Sequence, residues 1–97
     1  RADEEGRQVK RERMDIIFDI LGIIAEREKI IPTHLLYKSN LSYKRLQSYV
    51  KELQEKGLME ESTNEKDGKK QFHLSDKGYQ FLQRYKELKD LTVAFGI

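Results

Sequence analysis

Residues 37–58 read Tyr37-Lys38-Ser39-Asn40-Leu41-Ser42-Tyr43-Lys44-Arg45-Leu46-Gln47-Ser48-Tyr49-Val50-Lys51-Glu52-Leu53-Gln54-Glu55-Lys56-Gly57-Leu58. Asn40 tolerates the left-handed backbone angles of a tight turn. Ser42 suits the cap of a helix start, and Gly57 suits the left-handed residue that ends one. The stretch therefore divides into the end of a short helix, a turn at Ser39-Asn40-Leu41, and a second helix over 42–56. At ~100° per residue, Tyr43, Leu46, Tyr49, Val50 and Leu53 share one stripe of that second helix. Lys44, Gln47, Ser48 and Lys51 fall on its other side, and Leu41 plugs the angle between the two helices. An apolar inner stripe, a basic outer face and a tight turn before them form the arrangement by which a helix-turn-helix offers its second helix to a major groove.

The flanking sequence completes a domain around this motif. Met14, Ile17, Leu21 and Ile24 follow one helical face, with Ile16, Ile20 and Ile23 beside it and Phe18 as a further apolar contact. A face this wide predicts a central helix covered on two sides. Pro32 belongs in the first turn of a new helix, so the first helix ends by about Lys29. Helix two then runs from about Thr33 to Lys38, with Leu35 and Leu36 as core contacts. Beyond Gly57, Leu58–Ser62 and Gln71–Leu74 read as two short strands, and the intervening 63–70 carries the hairpin signal Asp67-Gly68. Ser75 or Asp76 caps a last helix reaching toward Ala94. Within it Phe81, Tyr85, Leu88, Thr92 and Phe95 are spaced four, three, four, three, which makes a two-heptad seam. The order helix, helix, helix, hairpin, long helix predicts an α+β fold: a winged helix-turn-helix. The expected divisions are a flexible tail over 1–8, the winged domain over 9–74, and a C-terminal dimerisation helix over 75–97 packed on the same domain.

Composition narrows the function. Ninety-seven residues suffice for one core, and the equal hydrophobic and charged fractions of 37% make that core small and its surface densely ionic. The net charge of +2 says little, but its distribution says more. Lys29 to Lys51 holds five basic residues and no acidic one, whereas Glu52 to Asp67 holds six acidic and two basic ones. Such segregation gives a cationic face that attracts phosphates. The lack of cysteine excludes disulfides and thiolate metal sites and suits a reducing cytoplasm. No apolar run approaches the ~20 residues of a membrane span, and the charged N-terminus lacks the apolar region of a signal peptide. His34 and His73 lie far apart in sequence, and no Ser/His/Asp grouping accompanies them. Asp15 and Asp19, one helical turn apart, read as solvated, with Asp15 in reach of Arg11. Gly78 lacks a phosphate-loop context. Neither catalysis, a metal, a cofactor nor a small-molecule ligand is therefore expected.

Several segments together resemble a known family. They are Ile20-Leu21, Leu36 through Tyr43, Tyr49, Leu53, Gly57-Leu58, Phe72-His73-Leu74-Ser75-Asp76-Lys77-Gly78 and Phe81-Leu82. They look like the archaeal winged-helix-turn-helix family of small DNA-binding proteins, some chromatin-associated and others transcription regulators, and the likeness covers about residues 14–92. It implies sequence-tolerant or regulatory DNA binding by a homodimer joined through antiparallel C-terminal helices. Two departures stand out. Members often carry a glycine before helix two and a basic residue then threonine at its start, where this chain has Glu28-Lys29-Ile30-Ile31-Pro32-Thr33-His34, which leaves Thr33 as the phosphate contact there. The last helix also ends soon after Phe95.

The expected partners are double-stranded DNA and a second copy of the chain, with a place on the nucleoid in the cytoplasm and none on a membrane. Ser42, Tyr43 and Lys44 would enter the groove at the helix start, with Gln47, Ser48 and Lys51 further along. Arg45 would grip a phosphate, and wing residues Lys66, Lys69 and Lys70 would straddle the adjacent backbone. Tyr49 reads as core with its hydroxyl near the surface. The seam Phe81, Tyr85, Leu88, Thr92 and Phe95 would face the second copy. The alternative is a winged helix that binds protein instead of DNA, using the acidic flank of Glu52, Glu55, Glu60 and Glu61.

Overall fold

The computed structural model describes residues 2–97, with side chains from Glu12 onward. The elements follow in the order α1 (Ala2–Arg27), α2 (Pro32–Ser39), α3 (Tyr43–Glu55), β1 (Met59–Thr63), β2 (Lys70–Leu74) and α4 (Asp76–Ala94). The expected tail over 1–8 falls on residues whose side chains lie outside the described ones, although helical backbone runs back to Ala2. The same holds for Arg11, the expected partner of Asp15; among the described residues Asp15 pairs with Lys89 of α4, 3.1 Å away.

The wide apolar face of α1 is covered as its pattern requires. Ile17, Ile20, Leu21 and Ile24 are buried against Leu35 of α2, Leu46, Val50 and Leu53 of α3, Leu58 and Met59, and Phe72 and Leu74 of β2. These side chains form one small core, and no polar side chain is buried with them among the described residues. Burying each such side chain is worth ~1.5–3 kcal/mol.

The ends of the elements are set locally. α1 stops because Glu28 takes a left-handed conformation at φ 64°, the role a glycine usually fills. Pro32 occupies the first turn of α2. Asn40 is left-handed at φ 58° and ψ 29°, which turns the chain into α3. Ser42 caps α3 by accepting from the Arg45 amide at 3.2 Å, and Gly57 follows at φ 73°. β1 and β2 pair antiparallel in the register Met59–Leu74, Glu61–Phe72 and Thr63–Lys70. Ile30 adds a single bridge to Phe72, with hydrogen bonds of 3.0 and 2.8 Å, so the linker before α2 acts as a third edge of the hairpin. Sequence reading leaves that linker without a role.

α4 begins on the hairpin, and its last turns lie outside the core. Ser75 caps it by accepting from the Gly78 amide at 3.0 Å and donates to the Gly57 carbonyl at 2.6 Å. Phe81 and Leu82 pack on the core. Tyr85 lies against Phe18 of α1 with ring centroids 5.0 Å apart. Lys89 stands over the Phe18 ring while bonded to Asp15. Asp15 in turn holds the Lys89 ammonium above its ordinary pKa. After this contact Leu88, Leu91, Val93, Phe95 and Ile97 are all exposed.

Candidate nucleic-acid interface

α3 is docked by its apolar stripe and leaves its other face free. Leu46, Val50 and Leu53 are buried and Tyr49 is half-buried, whereas Lys44, Arg45, Gln47, Ser48 and Lys51 are exposed. Tyr43 sits at the edge of that stripe. It lies in the first turn, beyond the edge of the core, and is 66% exposed, with its ring at a small cleft shared with Thr33, Leu36 and Phe72.

The hairpin extends this surface. Because alternate strand residues share a face, Met59, Glu61 and Thr63 point the same way as their partners Leu74, Phe72 and Lys70. That face begins in the core and continues outward beside α3. An open groove of about 650 Å³ results, walled by Tyr43, Gln47, Lys51 and Gln54 on one side and by Glu61 and Lys70 on the other. The expected contacts Tyr43, Gln47, Ser48, Lys51 and Lys70 are thus brought to one groove, and Thr33 lines the smaller cleft that shares Pro32, Tyr43 and Gln47 with it.

The other expected contacts lie around this groove. Lys44 and Arg45 lie outside it, and Arg45 is 3.7 Å from Glu12 of α1, a loose, exposed pair. Lys66 and Lys69 sit in the loop between the strands. Their amides are held by Asn64 Oδ1 at 2.8 Å and Asp67 Oδ1 at 2.9 Å, so the loop is shaped by two Asx turns and its lysine side chains stay exposed. Among the described residues, Lys44, Lys51, Lys66 and Lys69 have no acidic partner within 4 Å.

The acidic flank is largely engaged. Arg13 of α1 holds Glu52 through both carboxylate oxygens, Nη1 donating to Oε1 at 2.7 Å and Nη2 to Oε2, and Lys56 donates to the same carboxylate at 2.9 Å. The Arg13 bonds first, and the Lys56 bond second, lower the Glu52 carboxyl to about 2 from its ordinary 4.5. Glu60 lies 3.6 Å from His73 on the far face of the hairpin. Glu61 accepts from Gln54 at 3.4 Å and lies 3.6 Å from the Lys70 ammonium. Its place in the groove escaped the sequence reading, although counting alternate residues along β1 from buried Met59 would have found it.

This arrangement agrees with what comparison finds: a family model described as winged helix-turn-helix matches residues 10–93. The chain belongs to that family. A relative, an uncharacterized protein of Methanocaldococcus jannaschii, is 31% identical over 85 residues, which are 88% of this chain and 80% of that protein. Among solved structures, FabT of Streptococcus pneumoniae in complex with DNA has a TM-score of 0.69 at 18% identity, covering 80% of this chain and 55% of FabT. The chain thus spans about half of that protein. Sso10a-2, a DNA-binding protein from Sulfolobus solfataricus, has a TM-score of 0.62 at 22% identity over 86% of each chain. ZitR of Lactococcus lactis has a TM-score of 0.70 at 17% identity over 97% of this chain and 74% of its own. At these identities the likeness is one of fold, and the α+β winged fold expected from the residues is the one found. No described helix is long and apolar enough to cross a membrane.

Proposed function

We propose that this chain binds double-stranded DNA as a homodimer, with α3 in the major groove and the hairpin on the adjacent backbone, as a transcription regulator or nucleoid-associated protein of the cytoplasm. One observation carries the reading: exposed Gln47, Ser48 and Lys51 of α3 and Lys70 of the hairpin line a single groove, with exposed Lys44 and Arg45 beside it on the same helix. Gln47 and Ser48 can read base edges from this position, while Lys44, Arg45, Lys51, Lys69 and Lys70 neutralise phosphates. Tyr43 and Thr33 lie where the α2 start meets the backbone. FabT, solved in complex with DNA, and Sso10a-2, a DNA-binding protein, share the fold and support the reading by analogy. The role is one of binding, without catalysis.

Dimerisation is assigned to the far part of α4. Leu88, Leu91 and Phe95 form an exposed apolar end that a second copy would cover, with Thr92 half-buried between them. A two-fold pair of chains would set two α3 helices on one DNA face, about one helical turn (~34 Å) apart.

Fluorescence-anisotropy titration of duplex DNA at two salt concentrations tests the reading. With five cations at phosphates in each protomer, log K should fall by ~4 to 5 per protomer per log unit of salt. Absence of binding at low salt would move the function to protein recognition. Glu52, already held by Arg13 and Lys56, leaves Glu55, Glu60 and Glu61 to serve that alternative.

A further inference from the structure

Glu61 is the one carboxylate lining the groove, whose charged and amide groups are otherwise Lys51, Lys70, Gln47 and Gln54. It is not a bystander of the solvated surface. Its register opposite Phe72 fixes it on the inner face of the hairpin, whereas the neighbouring Glu60 points outward to His73. Gln54 of α3 donates to Glu61 Oε1 across the groove, and the Lys70 ammonium lies 3.6 Å from the same oxygen. One carboxylate therefore ties the hairpin to α3 and occupies the hairpin lysine that is nearest the groove.

We propose that Glu61 is an internal counter-ion that competes with DNA phosphate for Lys70 and so sets a ceiling on the affinity of the groove. The proposal rests on the DNA-binding reading above. When a phosphate approaches, Lys70 must leave Glu61, and the uncovered carboxylate then faces a polyanion. Both effects oppose binding, and both act through charge at short range. Glu61 is thus a positioning residue: it holds Lys70 by a contact that binding has to break, and its substitution should act chiefly through Lys70.

A double-mutant cycle at two salt concentrations tests this, with binding of a mixed-sequence duplex read by fluorescence anisotropy. Glu61→Gln keeps an acceptor for Gln54 and removes the charge. It should tighten binding by ~3- to 5-fold at low salt, the scale of one exposed ion pair, and by less at high salt. In a Lys70→Gln background the same substitution should give less than half of that gain. Glu60→Gln, an equal charge change on the outer face, is the control and should change affinity by less than ~2-fold. The inference is overturned if Glu61→Gln leaves affinity unchanged or weakens it, or if its gain is undiminished without Lys70. A wild-type chain that binds no DNA at low salt overturns the DNA reading itself, and the inference falls with it. A wild type that binds while Glu61→Gln is silent overturns the inference alone.

Discussion

Gly78 lies so close to Leu58 that a Cβ on the glycine would stand 2.0 Å from the Leu58 carbonyl oxygen. The first turn of α4 thereby seats on the chain leaving α3, and three hydrogen bonds surround the contact. Ser75 donates its amide to the Leu58 carbonyl at 3.2 Å and its hydroxyl to Gly57, and Lys77 reaches the Lys56 carbonyl at 2.9 Å. The run Leu74-Ser75-Asp76-Lys77-Gly78, expected from the sequence to cap the last helix, is also the clamp between the hairpin and that helix. The neighbouring atom is backbone and cannot rotate away. Gly78→Ala should therefore cost at least ~2 kcal/mol despite its better helix propensity, as measured by urea unfolding. A stability equal to wild type would show that the two segments are not in contact.

Glu28 takes a left-handed conformation that costs an L-residue ~1–2 kcal/mol. Glycine removes that cost but adds entropy to the unfolded chain, so Glu28→Gly should stabilise by ~0.5–1 kcal/mol. The measurement is the shift in urea midpoint at constant slope. Loss of stability would mean that the end of α1 does not turn at this residue.

The pair Arg13–Glu52 joins α1 to α3, and it sets an acid limb of stability. The folded Glu52 carboxyl lies at about 2, below its ordinary 4.5. Its contribution is therefore complete above pH ~4.5 and is lost as pH falls toward 2. Water still reaches both side chains, at 40% and 24% exposure, so the pair is worth ~1 kcal/mol. Glu52→Gln should lower stability by that amount at pH 7 and flatten the fall in stability between pH 5 and 2. Parallel pH profiles for wild type and variant would remove the pair from the account.

Local features of the fold were legible in the sequence because they depend on neighbours in the chain. Asn40, Ser42, Gly57 and Ser75 act within four residues of themselves, so residue type sufficed to place the turn, the caps and the helix ends. The exposed face of α3 followed from the apolar stripe of Leu46, Val50 and Leu53. The missing relationships are distant in sequence: Arg13 with Glu52, Asp15 with Lys89, Ile30 with Phe72. Each needs the relative placement of two elements, which periodicity does not contain. The seam in α4 shows the same boundary. Its spacing marks an apolar stripe, but spacing cannot say that Tyr85 of that stripe meets Phe18 of α1 within the chain.

Lys44 and Lys51 lie on the exposed face of α3, with no share in the core. Replacing both by alanine should leave the unfolding midpoint within ~0.5 kcal/mol of wild type. DNA affinity should fall by at least ~10-fold at 0.1 M salt, and the salt slope by ~1.8 per protomer. Normal binding by this double variant would place the DNA surface elsewhere.

The two ends of the α4 seam should respond in opposite ways. Phe81 packs on the core and stacks with Tyr85 at a centroid distance of 6.2 Å, so Phe81→Ala removes packing within the chain and should cost ~3 kcal/mol. Leu88 and Phe95 are 54% and 73% exposed and touch no core. Leu88→Glu with Phe95→Glu puts charges on the proposed dimer surface without disturbing the domain. Light scattering should then report a monomer for the double variant and a dimer for wild type, and the monomer should bind DNA more weakly because one reading helix replaces two. If wild type is already monomeric at micromolar concentration, the exposed end of α4 does not join two copies. If both chains are dimers, the joint lies on another face, and pairs of α3 helices would have to be spaced by a different axis.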